Sequence, residues 1–483
     1  MWSIPRHVSR PSATGGALYA RIAEAIVNDI RRGVLRAGDR LPSTRELAAQ
    51  LAVNRNTIVA AFDDLVAQGW IAAGGARGTR VLADLPAPTP LDAVAAPAST
   101  DTRAPTFPLR EVASVTTPFG ATEVDFHVSI GVPDTRLVPH ELLARAYRRA
   151  LHGRAARTNL DYGSPLGTTR LRTAIAAYLR GRGVSAGIDN VMITRGSQMA
   201  IDLAARAVLR PGDTAAVEEL GYRPAWRALE EAGARLAGVP VDGAGLVVDK
   251  LPARARCLYT TPHHQYPTTV LMSPARRLAL LARARKFGIA IIEDDYDHEF
   301  HFEGRPVPPL AAMDPTNVIY VGSLSKILAP GLRLGFVAAH PSVIETLARL
   351  RATIDRQGDH VLETTIAELI EDGDLARHVR KMRRVYHARR DALAAVLVRE
   401  LGNEVLSFEL PAGGMSLWAR AAPDIDLERW RQRALERGVA VAFARDFALD
   451  RRARPFLRLG YGHLSERELA EVARRLARAL ARR

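Results

Sequence analysis

Leu18, Ile22, Ile26 and Ile30 recur at every fourth position and line one face of a predicted helix that ends near Gly33. Ser43 followed by Glu46 is a capping-box pattern, so a second helix opens there and turns Leu47, Ala48 and Leu51 toward the same core. After a short turn at Ala52 and Val53, Asn54 caps a third helix over 55–68 with Ile58, Phe62 and Leu65 facing inward. Apolar pairs at 70–71 and 81–82 then flank a glycine-rich stretch over 74–78, which predicts a hairpin with Arg77 at its tip. The pattern gives residues 10–82 as one small helical unit carrying a β-wing.

Residues 83–118 are rich in Ala, Pro, Thr and Ser and show no sustained period, the composition of an extended, partly stiff linker. From residue 119 to 483 the pattern changes again. Apolar runs at 288–292, 318–321 and 334–338 alternate with helical stretches such as 278–287, which predicts an α/β domain with a mostly parallel sheet. From about residue 341, Arg/Ala/Leu helices dominate and end in an amphipathic helix from Ser465, as in a smaller α+β lobe. The chain contains no internal repeat.

Composition agrees with a multidomain globular protein: 483 residues exceed one ordinary core, and 47% of them are apolar. No apolar run is long enough to cross a bilayer, and residues 1–12 lack the apolar core of a secretion signal, so a cytoplasmic protein with no membrane partner is expected. The single cysteine, Cys257, excludes an internal disulfide framework and a cysteine-rich metal site, and is expected in the core. Net charge is +15, and residues 1–82 hold a net +5, a sign that suits phosphate contact. Only four of the 67 basic residues are lysines: Lys250, Lys286, Lys326 and Lys381. A guanidinium cannot serve as an amine nucleophile near neutral pH, so each remaining lysine carries information.

The third helix begins Asn54-Arg55-Asn56-Thr57, and Arg and Asn are the side chains that bond base edges bidentately in a major groove. By periodicity alone, a helical protein-interaction module with ordinary surface arginines fits as well. The strings Leu41-Pro42-Ser43-Thr44-Arg45-Glu46-Leu47-Ala48, Asn54-Arg55-Asn56-Thr57-Ile58 and Gly78-Thr79 resemble GntR-type winged helices. The resemblance implies that Arg45, Asn54, Arg55, Asn56 and Thr57 meet a double-stranded DNA operator, with a wing at Arg77 and Gly78 reaching an adjacent groove.

Three strand ends carry candidate chemistry. Ser323-Leu324-Ser325-Lys326 follows an apolar run and precedes Gly331, Arg333 and Gly335; its amine can form a Schiff base while its hydroxyls and Arg333 suit a phosphate. Glu293-Asp294-Asp295-Tyr296 places acids after a buried run, where they hold a pyridinium nitrogen or merely cap a turn. Thr194-Arg195-Gly196-Ser197-Gln198 opens a helix over 199–209 whose free N–H groups form an anion site.

In this order, from about residue 125 onward, the three motifs resemble fold-type I aminotransferases. The resemblance implies pyridoxal 5'-phosphate as cofactor. It also implies Lys326 as the internal aldimine, Asp294 at the pyridine nitrogen and Tyr296 as donor to the phenolic oxygen. Gly196, Ser197, Gln198, Ser323, Ser325 and Arg333 would surround the phosphate, Tyr222 would stack on the ring, and Arg458 would grip an amino acid's carboxylate. Tyr162, within residues 161–167, matches a segment that reaches a neighbouring subunit, which implies a homodimer.

Tyr266-Pro267-Thr268-Thr269 departs from the Asn-Pro-x-Gly of working aminotransferases, so the asparagine is absent. His263 and His264 beside it invite a metal reading, but neighbours on an extended strand point to opposite faces, and no metal site is expected.

Together the two halves resemble the MocR/GabR class of bacterial transcription regulators, with pyridoxal phosphate or an amino compound as effector. Such an effector acts only through unequal affinity for two states. Two other readings stay open on the residues: an active aminotransferase carrying an accessory DNA-binding domain, and a regulator whose body is a cofactor-free dimerisation scaffold.

Overall fold

Ser43 and Glu46 close the capping box that their spacing predicts: the Ser43 hydroxyl accepts from the Glu46 N–H at 3.2 Å, and the Glu46 carboxylate accepts from the Ser43 N–H at 2.7 Å. The helix so started, Thr44–Leu51, ends at Ala52 in the left-handed region. Asn54 caps Arg55–Ala67 by accepting from the Asn56 N–H at 2.8 Å. Together with Leu18–Arg31 these helices bury Ile22, Ile26, Leu47, Ile58 and Leu65 completely or nearly so. The antiparallel hairpin Ile71–Ala73 and Thr79–Val81 adds Ile71, Val81 and the adjoining Trp70 to that core.

The computed structural model of the chain describes residues 17–73, 78–85, 107–109, 124–128 and 131–480. Arg77 at the expected wing tip, and most of the expected linker, lie outside these residues. The chain divides into two compact units, one up to Ala113 and the other from Ser114.

The second unit is built on a seven-stranded sheet. In spatial order its strands are Val191–Thr194, Gly335–Ala338, Val318–Ser323, Ala290–Asp295, Cys257–Thr260, Thr214–Glu218 and Arg235–Val239. All pairs are parallel except those made by Gly335–Ala338, which runs against both neighbours. Cys257 is fully buried among these strands, as its apolar surroundings predict.

Three elements shift relative to the sequence pattern. The helix expected over 278–287 starts at Pro274, because the Ser273 hydroxyl accepts from the Arg276 N–H and Pro274 occupies the first turn, where it needs no hydrogen-bond partner. Gly288 ends that helix in the left-handed region, so the next strand is Ala290–Asp295 and not 288–292. The acids expected after the strand therefore lie inside it. Similarly, the helix expected from Met199 begins at Ser197.

The smaller lobe has a four-stranded antiparallel sheet of Leu406–Phe408, Ser416–Ala421, Phe456–Gly460 and Ala442–Phe443. It does not begin at residue 341. Pro341–Ala352 and His360–Glu371 bury Ile344, Leu347, Ile366 and Ala367 in the larger lobe. The change of lobe falls within the 28-residue helix Asp374–Leu401, whose Leu375 belongs to one core and whose Met382, Tyr386 and Leu393 belong to the other. Phe126–His127 joins the smaller lobe by pairing with Val439–Ala440. Among the described residues no helix is long and apolar enough to cross a membrane.

The buried face of Arg55–Ala67 yields a test. Ile58→Ala removes a fully buried side chain and is expected to cost about 2–5 kcal/mol in the first unit. Hydrogen exchange should then accelerate in peptides covering 44–67 and stay unchanged in peptides covering 191–338.

Candidate functional site

At the carboxyl edge of the parallel strands, register sets Asp295 opposite Gly322 and Glu293 opposite Thr260, so the ends of three strands meet. Ligand sites in open α/β sheets form at such edges. Asp294 is buried there and accepts from the Tyr259 hydroxyl through Oδ2 at 2.7 Å, while its Oδ1 has no hydrogen-bond partner among the described residues. Burial pushes its carboxyl up to about 7, against the opposing effect of the Tyr259 bond. Sequence reasoning missed Tyr259; its one signal was a hydroxyl on an otherwise buried strand.

Lys326 follows the strand Val318–Ser323 and donates from Nζ to the Gly131 carbonyl at 2.7 Å. It is half-buried, whereas Lys250, Lys286 and Lys381 are exposed. Burial lowers its amine to about 8, helped by the nearby Arg458 guanidinium and opposed by Asp297 and Asp294. Arg458 itself is 3% exposed, its Nε has no partner among the described residues, and its guanidinium lies 4.4 Å above the Tyr266 ring.

Tyr266 organises this cleft. Its ring meets Tyr222, Tyr296 and Phe447 edge-on at 5.6, 6.1 and 5.5 Å. Thus Tyr222, Tyr296, Lys326, Asp294 and Arg458 surround one cleft between the two lobes, and the residue that departs from the aminotransferase pattern stands among them. Three residues on, Thr269 holds φ of 64°, a left-handed backbone that costs a side-chain-bearing residue about 1–2 kcal/mol.

The helix Ser197–Val208 begins beside Arg333. Among the described residues no side chain caps that terminus, Gly196 holds φ of 78°, and Arg333 approaches so closely that a Cβ on Gly196 would lie 2.7 Å from its Nη2. Arg333 also donates to the Arg195 carbonyl at 3.3 Å. Ser197 and Gln198 occupy the first turn, with the Gln198 amide donating to the Pro224 carbonyl at 2.9 Å. Free N–H groups, a helix dipole and a guanidinium are the components of an anion site. Ser323 ends its strand here and accepts from the Ser325 N–H at 3.2 Å.

Tyr296 differs from expectation in what it bonds: its hydroxyl donates to the His264 carbonyl at 2.9 Å. Tyr162 is 78% exposed, under the Arg356 guanidinium at 4.6 Å. His263 and His264 do not point to opposite faces as the alternation of an extended strand predicts. The strand ends at Thr260, and the following loop is tied down by Glu218, which accepts from Thr260, Thr261 and Gln265. The two rings consequently sit 4.5 Å apart on one side.

On the first unit, Arg45, Asn54, Arg55 and Asn56 are exposed and Thr57 is half-buried at the start of the third helix. Arg55 Nε donates to the Thr44 hydroxyl at 3.4 Å, and the Asn54 side-chain oxygen is already engaged in the cap, leaving its amide outward. Gly78 holds φ of 79° beside Arg40, at the described edge of the wing.

Residues 18–81 match the gntR family of bacterial regulatory proteins, and residues 128–476 match class I and II aminotransferases. The probable rhizopine catabolism regulatory protein MocR of Rhizobium meliloti is 34% identical over 86% of this chain and 84% of its own length. The transcriptional regulator TauR of Rhodobacter capsulatus is also 34% identical, over 96% of this chain and 97% of its own. Among solved structures, a multiple substrate aminotransferase from Thermococcus profundus superposes with a TM-score of 0.69 at 31% identity, covering 74% of this chain and 91% of that one. A GntR-type head joined to an aminotransferase-class body, with relatives alike along nearly their whole length, makes this chain a member of the MocR-type transcription regulators.

Proposed function

We propose that the chain is a cytoplasmic, homodimeric operator-binding regulator whose aminotransferase-like domain holds pyridoxal phosphate on Lys326 and reads an amino compound. The observation that carries this reading is a pairing: the one lysine drawn out of solvent shares a cleft with Asp294, whose buried Oδ1 lacks a partner. An oxygen so placed fits a ring N–H, and the Gly196 cradle fits a phosphate.

When bound, pyridoxal phosphate supplies an aldehyde for amines and an electron-withdrawing ring. The chain's residues supply the rest. Lys326 offers an amine that burial keeps partly neutral and therefore nucleophilic. Asp294 would hold a proton on the ring nitrogen, with Tyr259 fixing the carboxylate's orientation. The N–H groups of Ser197 and Gln198, beside Gly196, would hold the phosphate with Arg333, Ser323 and Ser325. Tyr222 would flank the ring, and Arg458 would pair with an effector's carboxylate. Tyr296 has one hydroxyl proton, now given to the His264 carbonyl, so donating to a phenolic oxygen requires that bond to break. Tyr162 would complete the pocket of a second subunit. In the first unit, Arg45, Arg55, Asn56 and Thr57, with Asn54 at their head, would meet the DNA, and Arg77 and Gly78 would meet it through the wing.

Retention of Lys326, Asp294 and Arg458 also keeps amino-group chemistry open. Rapid steady-state turnover of amino donors and keto acids, undiminished by deleting residues 1–82, would favour an enzyme.

Adding pyridoxal phosphate to the purified chain should produce a visible absorbance band that Lys326→Ala abolishes; an identical band in the variant refutes the cofactor assignment. Because only the unprotonated amine reacts, the attachment rate should rise with pH through a midpoint near the Lys326 value of about 8. Arg55→Ala should cost operator affinity about 1–3 kcal/mol in a titration at fixed salt, with the absorbance band unchanged.

A further inference from the structure

Four histidines gather beside the cleft, where the loop after Cys257–Thr260 meets the turn after Ala290–Asp295. His263 stacks on His298 with ring centroids 4.4 Å apart, and His264 faces His301 at 6.0 Å with planes 19° apart. His263, His264 and His301 are all buried, and each brings one ligand-capable nitrogen within 4.8 Å of the others. Their hydrogen bonding is incomplete. Both nitrogens of His263, Nε2 of His264 and Nδ1 of His301 are buried without a partner among the described residues. Each such group forfeits about 1–3 kcal/mol, so a cluster of them calls for something to bind.

The rings are also prepared for a particular kind of ligand. His264 is oriented from behind: Asp297 Oδ1 lies 2.7 Å from Nδ1, and Nε2 on the opposite side of the ring has no partner among the described residues. A carboxylate behind a histidine is the usual outer support of a metal ligand. Gly413 preserves the space in front, since a Cβ there would lie 2.5 Å from His264 Nε2.

We propose that His263, His264 and His301 form a binding site for a divalent cation of the zinc class, with Asp297 as the residue that positions His264. Three imidazole nitrogens suit zinc and its late first-row neighbours, whereas magnesium and calcium seek oxygen. Nitrogens held at roughly 2.0–2.1 Å from a tetrahedral ion stand about 3.3 Å apart, so the rings must close inward on binding. A neighbouring trio, His263, Asp295 and His298, shares one ligand with this site. In that trio Asp295 Oδ2 already accepts from Tyr320 at 2.7 Å and faces His298 Nδ1 at 2.9 Å, leaving Oδ1 without a partner among the described residues, whereas the three-histidine side offers an unpartnered nitrogen on every ring, so we place the ion there.

The test uses the full chain, stripped with a chelator and titrated with Zn2+ by calorimetry, once with pyridoxal phosphate and once without. One tight equivalent is expected in both states. His263→Ala and His301→Ala should abolish it, and Asp297→Asn should weaken it by about 10–100-fold. His140→Ala, altered on an exposed helix, should retain it. Absence of a tight equivalent in the unaltered chain, or its survival in both alanine variants, overturns the proposal. Uptake that appears only with pyridoxal phosphate also overturns it, because that ion is held by the cofactor; this outcome leaves the role of Lys326 standing. Should the alanine variants fail to fold, the Asp297→Asn affinity decides alone.

Discussion

Three consecutive carboxylates, Glu293, Asp294 and Asp295, lie buried in one strand of the sheet. An isolated buried carboxylate is penalised by several kcal/mol, so each dictates what must surround it. Glu293 accepts from the N–H groups of Leu310 and Ala311 at 2.7 and 2.9 Å and thereby caps the short helix Leu310–Met313. Asp295 takes the Tyr320 hydroxyl and His298, with Arg182 3.9 Å away, and this company holds its carboxyl well below the usual range despite burial. Among the described residues Asp294 receives only Tyr259. Glu293 is thus satisfied at both oxygens, whereas Asp294 and Asp295 each keep an Oδ1 without a partner among the described residues, and it is Asp294 that lies beside Lys326.

The lobes meet across that cleft in a way that ties opposite walls together. Lys326 belongs to the sheet edge, while Arg458 comes from the smaller lobe, and the two cations repel each other. Tyr266 eases the conflict by placing an aromatic face under the guanidinium and an edge against Tyr222 and Tyr296. A small change at the amine is therefore felt on both sides, and the 28-residue helix running through both cores gives the lobes a common beam.

Much of this was legible in the sequence because it rests on local rules. The capping box at Ser43, the cap at Asn54 and the inward face of Ile58, Phe62 and Leu65 depend on residues a few positions apart. The three strand-end motifs likewise fall at one edge because a parallel sheet brings strand ends together. What the sequence concealed was tertiary. The strand containing Asp294 reads as ending early, since acids inside a buried strand are tolerable only when distant partners such as Leu310 and Tyr320 reach them. The histidines were misplaced for a related reason: a period-two rule applies to extended chain, whereas Glu218 folds residues 261–265 into a loop. The place of Tyr266 beneath Arg458 joins residues too far apart for any local pattern to reveal.

The scarcity of lysine reaches beyond the cleft. With arginine in nearly every cationic position, the surface keeps its positive field yet offers only three exposed lysine side chains, Lys250, Lys286 and Lys381, to the reactive aldehydes and acyl donors of a cell. Guanidinium groups stay charged and largely inert toward such carbonyls. Covalent occupancy of the chain is then close to a single-channel quantity: whatever condenses with an amine here is written mostly at one address, with little background from the surface.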